Sequence, residues 1–236
     1  MKATMSDVGQ DLWVIEKVMQ TMLQDGYAGY FIEAGASDGV AGSNTVILER
    51  NFEWQGLLVE PNEYFFERLK SNRPRSHCRH CVLSDSDGEI EFIQAGYFGT
   101  APDHVRSVFD RRGLDISAHQ NYQEDVGLQK AKRGLLPARS LESLLKQVNA
   151  PQTIDYFSLD VEGGEMHVLS GFPWGTRRIA SMTVESAFYV DGVLYDADHR
   201  KPVREFLEAK GMRYVGSLEF DDCYVDPTIV TWDVTP

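Results

Sequence analysis

The chain has 236 residues, 42% apolar, 11% aromatic and 25% charged, a profile that excludes disordered and fibrous classes and suits one globular domain over residues 1–236. Its net charge of −13 argues against a nucleic-acid partner, because backbone binding needs clustered Lys and Arg. Three cysteines, Cys78, Cys81 and Cys223, are too few for a disulfide framework and predict a reducing, cytoplasmic setting; the start shows no signal-peptide pattern, and no apolar run is long enough to span a membrane.

The first element is an amphipathic helix within residues 6–25. Leu12, Ile15, Met19, Met22 and Leu23 recur at helical spacing, with Gly26 as the stop. Residues 30–34 read as a buried strand, followed by a glycine-rich turn at 35–39. Ser43 or Asn44 then caps a helix to about residue 51. Residues 56–60 form a second strand, ended by Pro61, and Asn62 caps a helix to about residue 71. Residues 81–84 read as the third strand and 89–93 as a further extended piece. Residues 95–134 break the rhythm and are nearly neutral in an acidic chain. Such an insert is either an acceptor lid or a solvated loop or oligomer contact. Ser140 caps a helix through Leu144 and Leu145, residues 154–160 form a strand, 163–169 a helix, 179–185 a strand and 203–210 a helix. Two strands within 212–234, turning near Asp221 and Asp222, end the chain.

Strands alternating with helices predict an α/β fold with a mostly parallel sheet covered on both faces, closed by an antiparallel hairpin. Ligands in such sheets bind at the carboxyl ends of the strands. The first strand ends in Glu33-Ala34-Gly35-Ala36-Ser37-Asp38-Gly39. Glu33 stands where a dinucleotide fold has glycine, and carboxylates there repel a pyrophosphate but welcome a cation. Glu60 ends the second strand, the position of a ribose-hydroxyl ligand in nucleotide folds. Ser84 and Asp85 end the third; they either contact an adenine amine or form a turn with Asp87-Gly88. Asp160, Glu162 and Glu165 crowd the end of the strand at 154–160, and Glu185 ends the next. If those strands are neighbours, Asp160 and Glu185 lie side by side, a pair of hard oxygen ligands suited to Mg²⁺ or Mn²⁺. His77-Cys78-Arg79-His80-Cys81 looks like a metal cluster but lacks a second ligand pair at zinc spacing.

Taken in order, these residues resemble the FkbM-type methyltransferases. The matching stretches are Gly9-Gln10-Asp11, Phe31 to Gly39, Ser43-Asn44-Thr45, Trp54 to Asn62, Cys81 to Ser84, Ile154 to Gly163 and Val184-Glu185. The resemblance implies a Rossmann-like class I methyltransferase with a seven-stranded sheet, dependent on S-adenosyl-L-methionine. It implies that Glu33, Gly35, Ala36, Ser37, Asp38, Gly39 and Asn44 surround the methionine part of the cofactor. Glu60, with Pro61 and Asn62, would hold the ribose, and Ser84 and Asp85 the adenine. Asp160 would lie beside the methyl group or the acceptor, and the acceptor would be a hydroxyl of a sugar or a sugar-bearing natural product.

Methyl transfer to a hydroxyl needs alignment and a route for the proton. A metal on Asp160 and Glu185, with Glu162 nearby, is one route; His167 is the competing base, with His104 and His119 behind it. Arginines of the 95–134 insert suggest an acidic sugar, such as a uronic acid. The rival readings are a nucleotide-linked oxidoreductase on a similar sheet and a non-catalytic domain of the same fold. Homo-oligomerisation stays open.

Overall fold

The computed structural model describes residues 4–22, 27–95, 98–101, 132–186, 188–190, 193–195 and 197–231. Its strands are β1 (Tyr30–Ala34), β2 (Gln55–Val59), β3 (His77–Arg79), β4 (Val82–Leu83), β5 (Gly88–Ala95), β6 (Phe98–Thr100), β7 (Lys132–Arg139), β8 (Thr153–Leu159), β9 (Arg178–Glu185), β10 (Phe188–Val190), β11 (Val193–Tyr195), β12 (Arg213–Leu218) and β13 (Asp221–Val225). Its helices are α1 over residues 10–22, α2 (Val46–Phe52), α3 (Glu63–Asn72), α4 (Leu141–Gln147), α5 (Glu165–Ser170) and α6 (Ala197–Ala209).

The main sheet has seven strands in the order β12-β13-β9-β8-β1-β2-β3. The inner strands run parallel, and β13 is antiparallel to both β9 and β12. Alternation along each strand sends neighbouring side chains to opposite faces. Ile32, Leu57, Phe157 and Leu159 pack with Leu141, Leu144 and Leu145 of α4, Val168 and Leu169 of α5, and Val203 and Leu207 of α6. Phe31, Leu58 and Tyr156 pack on the other face with Val14 and Val18 of α1, Leu48 of α2 and Leu69 of α3. Two separate apolar clusters, one per face, are what a doubly wound sheet requires.

Local chemistry sets several boundaries. Asn62 accepts the N–H groups of Tyr64 and Phe65, and Ser140 that of Ser143. These are the caps expected from the sequence. Ser43 accepts the N–H of Val46 (3.1 Å), although α2 itself begins one residue beyond Thr45. α1 is not uniform: Val14–Val18 is a π-helical segment between two short α-helical pieces.

Three expectations need correction. The third strand of the main sheet is β3, paired with β2, rather than 81–84. As an edge strand β3 carries polar residues, so the apolar run Cys81-Val82-Leu83 outweighed it in the sequence. That run enters a second sheet, β4-β7-β5-β6, whose own cluster is Val82, Phe92 and Ala101. The insert is not wholly irregular, because β6 and the start of β7 fall inside it. α6 begins at Ala197, ahead of the expected start at 203, and continues through Pro202. Gly26 and residues 102–131, with His104 and His119, lie outside the described residues. Among the described residues no helix is long and apolar enough to cross a membrane.

Candidate active site

A cavity of about 360 Å³ opens at the carboxyl edge of β1, β2 and β8, within the size range of small-molecule sites. Its floor is the turn after β1. The N–H groups of Gly35 and Ala36 both donate to the Val59 carbonyl, at 3.0 and 3.1 Å. Gly35 has φ +81°, and a Cβ there would lie 1.9 Å from the Asp160 carbonyl oxygen. No side chain fits, so glycine lets the ends of β1 and β8 close together. Ser37 and Glu162, which also line the cavity, hold left-handed φ values of 48° and 57°, strained positions of a kind that concentrates at functional sites.

Glu60 ties two walls together. One carboxyl oxygen accepts the Ser37 N–H (2.8 Å), the other the Asn62 N–H (2.7 Å). Burial pushes its pKa up to about 7, against the pull of those two N–H bonds. Each oxygen keeps a lone pair for a further donor, as a ribose diol would supply.

Glu33 behaves differently from a bare acidic wall. It accepts hydrogen bonds from the Ser43 hydroxyl (3.0 Å), the Thr45 hydroxyl (2.5 Å) and the Asn44 N–H (2.7 Å). The fully buried Arg73 lies 3.7 Å away. From the end of α3, the Arg73 guanidinium also reaches Glu49 (2.8 Å), the Gly39 carbonyl (3.1 Å), the Ser43 hydroxyl (3.2 Å) and the Thr45 hydroxyl (3.0 Å). Burial raises the Glu33 pKa and the Arg73 charge opposes it. Glu33 and Arg73 therefore brace the loop 39–45 from beneath.

Asp160 and Glu185 do lie side by side. Leu159 pairs with Val184 in the parallel β8–β9 register, so the next residues are neighbours, and their carboxyls meet in a side-chain hydrogen bond. Asp221 faces Glu185 across β9 and β13. Burial raises all three, Asp160 to about 7 and Asp221 to about 6; around Asp160 the charges of Asp221, Glu165 and Asp7 add to the effect. Burial also raises Glu162, followed by the charges of Asp160 and Glu165.

The cavity brings together Glu33, Gly35, Ala36, Ser37, Asn44, Glu60, Pro61, Asn62, Asp160 and Glu162 from the expected set. Others do not line it. Asp38 accepts the N–H groups of Val40 and Ala41 inside the turn, and Gly39 packs on Leu69 and Arg73. Ser84 and Asp85 follow the last lining residue of that strand, Leu83. Ser84 donates to the Arg139 carbonyl. Asp85 sits 3.7 Å from His167 Nδ1, which places His167 with Asp85 outside the lining. Sequence reasoning missed Phe92, Gly99 and Ala101, which the second sheet brings to the cavity. It also missed Arg73, for which no local signal exists, and Asp7, which lies beside the Gly9-Gln10-Asp11 motif.

A model of the FkbM methyltransferase domain matches residues 33–214. The chain belongs to that family. It is an S-adenosylmethionine-dependent methyltransferase by that membership. No curated protein sequence matches it. Solved structures similar to this FkbM methyltransferase include a human methyltransferase 10 domain containing protein, at TM-score 0.46 and 10% identity, covering 92% of this chain and 81% of that one. A TehB-like SAM-dependent methyltransferase from Corynebacterium glutamicum aligns at TM-score 0.43 and 10% identity, covering 92% and 86%. The delta-N METTL16 MTase domain aligns at 0.46 and 10%, covering 94% and 83%.

The residues of this FkbM methyltransferase fit the cofactor. At the end of β2, Glu60 stands between the apolar lining Cys81–Leu83 that follows β3 and the polar lining at Asp160 that follows β8. Asn44 donates to Ser158 (2.7 Å), while its Oδ1 is buried with no partner; an N–H-bearing ligand would satisfy it. A divalent metal fits less well. Asp160 and Glu185 are engaged with each other, and among the described residues no group of three or more His, Cys, Asp or Glu is placed to hold a metal. In the His77–Cys81 stretch, His80 instead stacks on Phe66 at 4.9 Å and bonds the Pro61 carbonyl (2.9 Å).

Proposed function

We propose that this protein is an O-methyltransferase acting on a hydroxyl of a neutral sugar or sugar-bearing natural product, with Asp160 as the proton acceptor. When bound, S-adenosylmethionine supplies a methyl group on a positively charged sulfur. Transfer of that methyl to the acceptor oxygen, with the C–S electron pair left on sulfur, would release one hydroxyl proton, and Asp160 would accept it. One observation carries this reading: a cavity carboxyl with its pKa pushed up to about 7, hydrogen-bonded to Glu185. A general base works best when its pKa lies near the operating pH. Glu185, in the protonated form, donates to Asp160 and keeps it oriented.

This reading replaces His167, which does not line the cavity, and it routes no step through a metal. It also favours a neutral acceptor over a uronic acid. Asp7, Asp160 and Glu162 line the cavity and would repel a carboxylate. The test is a methyl-transfer assay over neutral and acidic sugars and small phenols, with and without EDTA. Turnover of neutral sugars that survives chelation supports the proposal. Loss in EDTA with recovery in Mg²⁺ or Mn²⁺ returns the metal route, and turnover confined to phenols or uronic acids removes the neutral-sugar acceptor.

A further inference from the structure

The family match begins at residue 33, yet the chain before it reaches the cavity. Ser6 bridges to Gly42 in parallel fashion, and Asp7 lines the cavity. The Asp7 carboxyl oxygens lie only 3.0 and 3.3 Å from where a Gly42 Cβ would stand. Asp11, fully buried, anchors this strap. Its carboxylate accepts from the Thr4 hydroxyl (2.6 Å), the Met5 N–H (2.9 Å), the Ser6 hydroxyl (2.7 Å) and its neighbour's N–H at Leu12 (2.7 Å). Gln10 ties the strap to the rim by donating to Asp221 (2.8 Å). The Gly9-Gln10-Asp11 motif is thus a clamp: Gly9 turns the chain at φ +89°, Gln10 holds the rim and Asp11 gathers the strap.

We infer that the strap completes the methionine end of the cofactor site and that the Asp7 carboxylate receives the cofactor's α-ammonium group. This rests on the cofactor reading above. The cavity is chemically lopsided. The end at Val82, Leu83 and Phe92 suits a flat adenine, and Glu60 suits the ribose. The opposite end holds Asp7 and Asn44. An ammonium brings one positive charge and three N–H donors. That end offers a carboxylate with no hydrogen bond or ion pair among the described residues, and Asn44 Oδ1, an acceptor more than nine-tenths buried and unpartnered. Both needs are met by the same group, and neither is met by a sulfonium alone, which donates no hydrogen bond.

The test compares two ligands by calorimetry on the full chain. S-adenosylhomocysteine carries the amino-acid end; 5′-methylthioadenosine lacks it. Asp7→Asn should weaken S-adenosylhomocysteine about tenfold, the scale of one charge-assisted hydrogen bond, and leave 5′-methylthioadenosine unchanged. Asp11→Asn, which loosens the strap, should act in the same direction on the first ligand and spare the second. Equal losses for both ligands in Asp7→Asn, no loss for either, or a gain for S-adenosylhomocysteine (a carboxylate at Asp7 instead of the ammonium) would each overturn the assignment. Wild-type protein binding neither ligand would overturn the cofactor reading itself, a failure visible before any variant is made.

Discussion

The carboxyls of Asp160 and Glu185 meet across the ends of two parallel strands, β8 and β9, with Asp221 of the antiparallel β13 beside Glu185. Three acids on adjacent strands form a row at the edge where the cavity opens. Like charges so close cannot all ionise at neutral pH, so protons are shared along the row.

In the proposed mechanism the pair divides its labour, and two substitutions separate the roles. Asp160→Asn removes the proton acceptor and should lower kcat about 10²–10⁴-fold, the range for a positioned base. Glu185→Gln still donates an N–H to Asp160 and should cost less than about tenfold in kcat. In the wild type, kcat/KM should rise with pH through about 7, because Asp160 must be ionised to accept a proton. Equal losses in the two variants, or a profile flat across that range, would contradict the division.

Glu60 connects the turns after β1 and β2 through Ser37 and Asn62. Glu60→Gln keeps the shape but retains a single acceptor oxygen, so one of those N–H groups or a ribose hydroxyl loses its partner. S-adenosylhomocysteine affinity should fall about 10–100-fold, as expected for hydrogen bonds to a charged group. Calorimetry reads this directly, and an unchanged Kd would remove Glu60 from the cofactor site.

Arg73 is the keystone of loop 39–45 and carries no exposed surface. Arg73→Met leaves the buried Glu33 without its cation and Glu49 with only the half-exposed Arg75 at 3.7 Å, a change that costs about 3–5 kcal/mol. Urea denaturation should show that loss, and Arg73→Lys, which keeps the charge but not the forked geometry, should show a smaller one. If Arg73→Met unfolds at the wild-type midpoint, the brace is not a stabilising one.

The raised carboxyls also set how stability varies with pH. Burial lifts Glu60 and Asp160 to about 7 and Asp221 to about 6, so between roughly pH 4.5 and 7 the folded chain holds protons that the unfolded chain has released. Stability should therefore fall as pH rises through that window. Asp87 and Asp226, whose values are lowered from 3.8, are ionised in both states there and do not reverse the sign. The Tm of the ligand-free protein should be higher at pH 5.5 than at pH 7.5; the opposite order would show that these acids are better solvated than their burial indicates.

Much of this was legible because it depends on short-range pattern. Apolar runs bounded by glycine, proline and capping residues located β1, β2, β8 and β9, and the condition for Asp160 to lie beside Glu185, that their strands be neighbours, is met by the β8–β9 pairing. Chemistry that depends on long-range contacts was not legible. Arg73 reaches back 40 positions to Glu33, and no spacing rule links an arginine after α3 to a turn after β1. The same holds for Phe92, Gly99 and Ala101, which reach the cavity through the β5–β6 hairpin. Glu33 lines the cavity but is not the bare charge the sequence suggested, since the hydroxyls that bind it come from a loop whose fold the sequence does not display.

The central claim is electrostatic: ionised carboxylates around the cavity distinguish a sulfonium from its neutral thioether product. The most direct measurement is the Kd of S-adenosylmethionine and of S-adenosylhomocysteine, by calorimetry, from pH 5.5 to 8.5. The two ligands share every group except the methyl and its positive charge. As Asp160 and Glu60 ionise near pH 7, the ratio of the two constants should shift toward S-adenosylmethionine. A ratio independent of pH, or one that shifts toward S-adenosylhomocysteine as pH rises, would contradict the account.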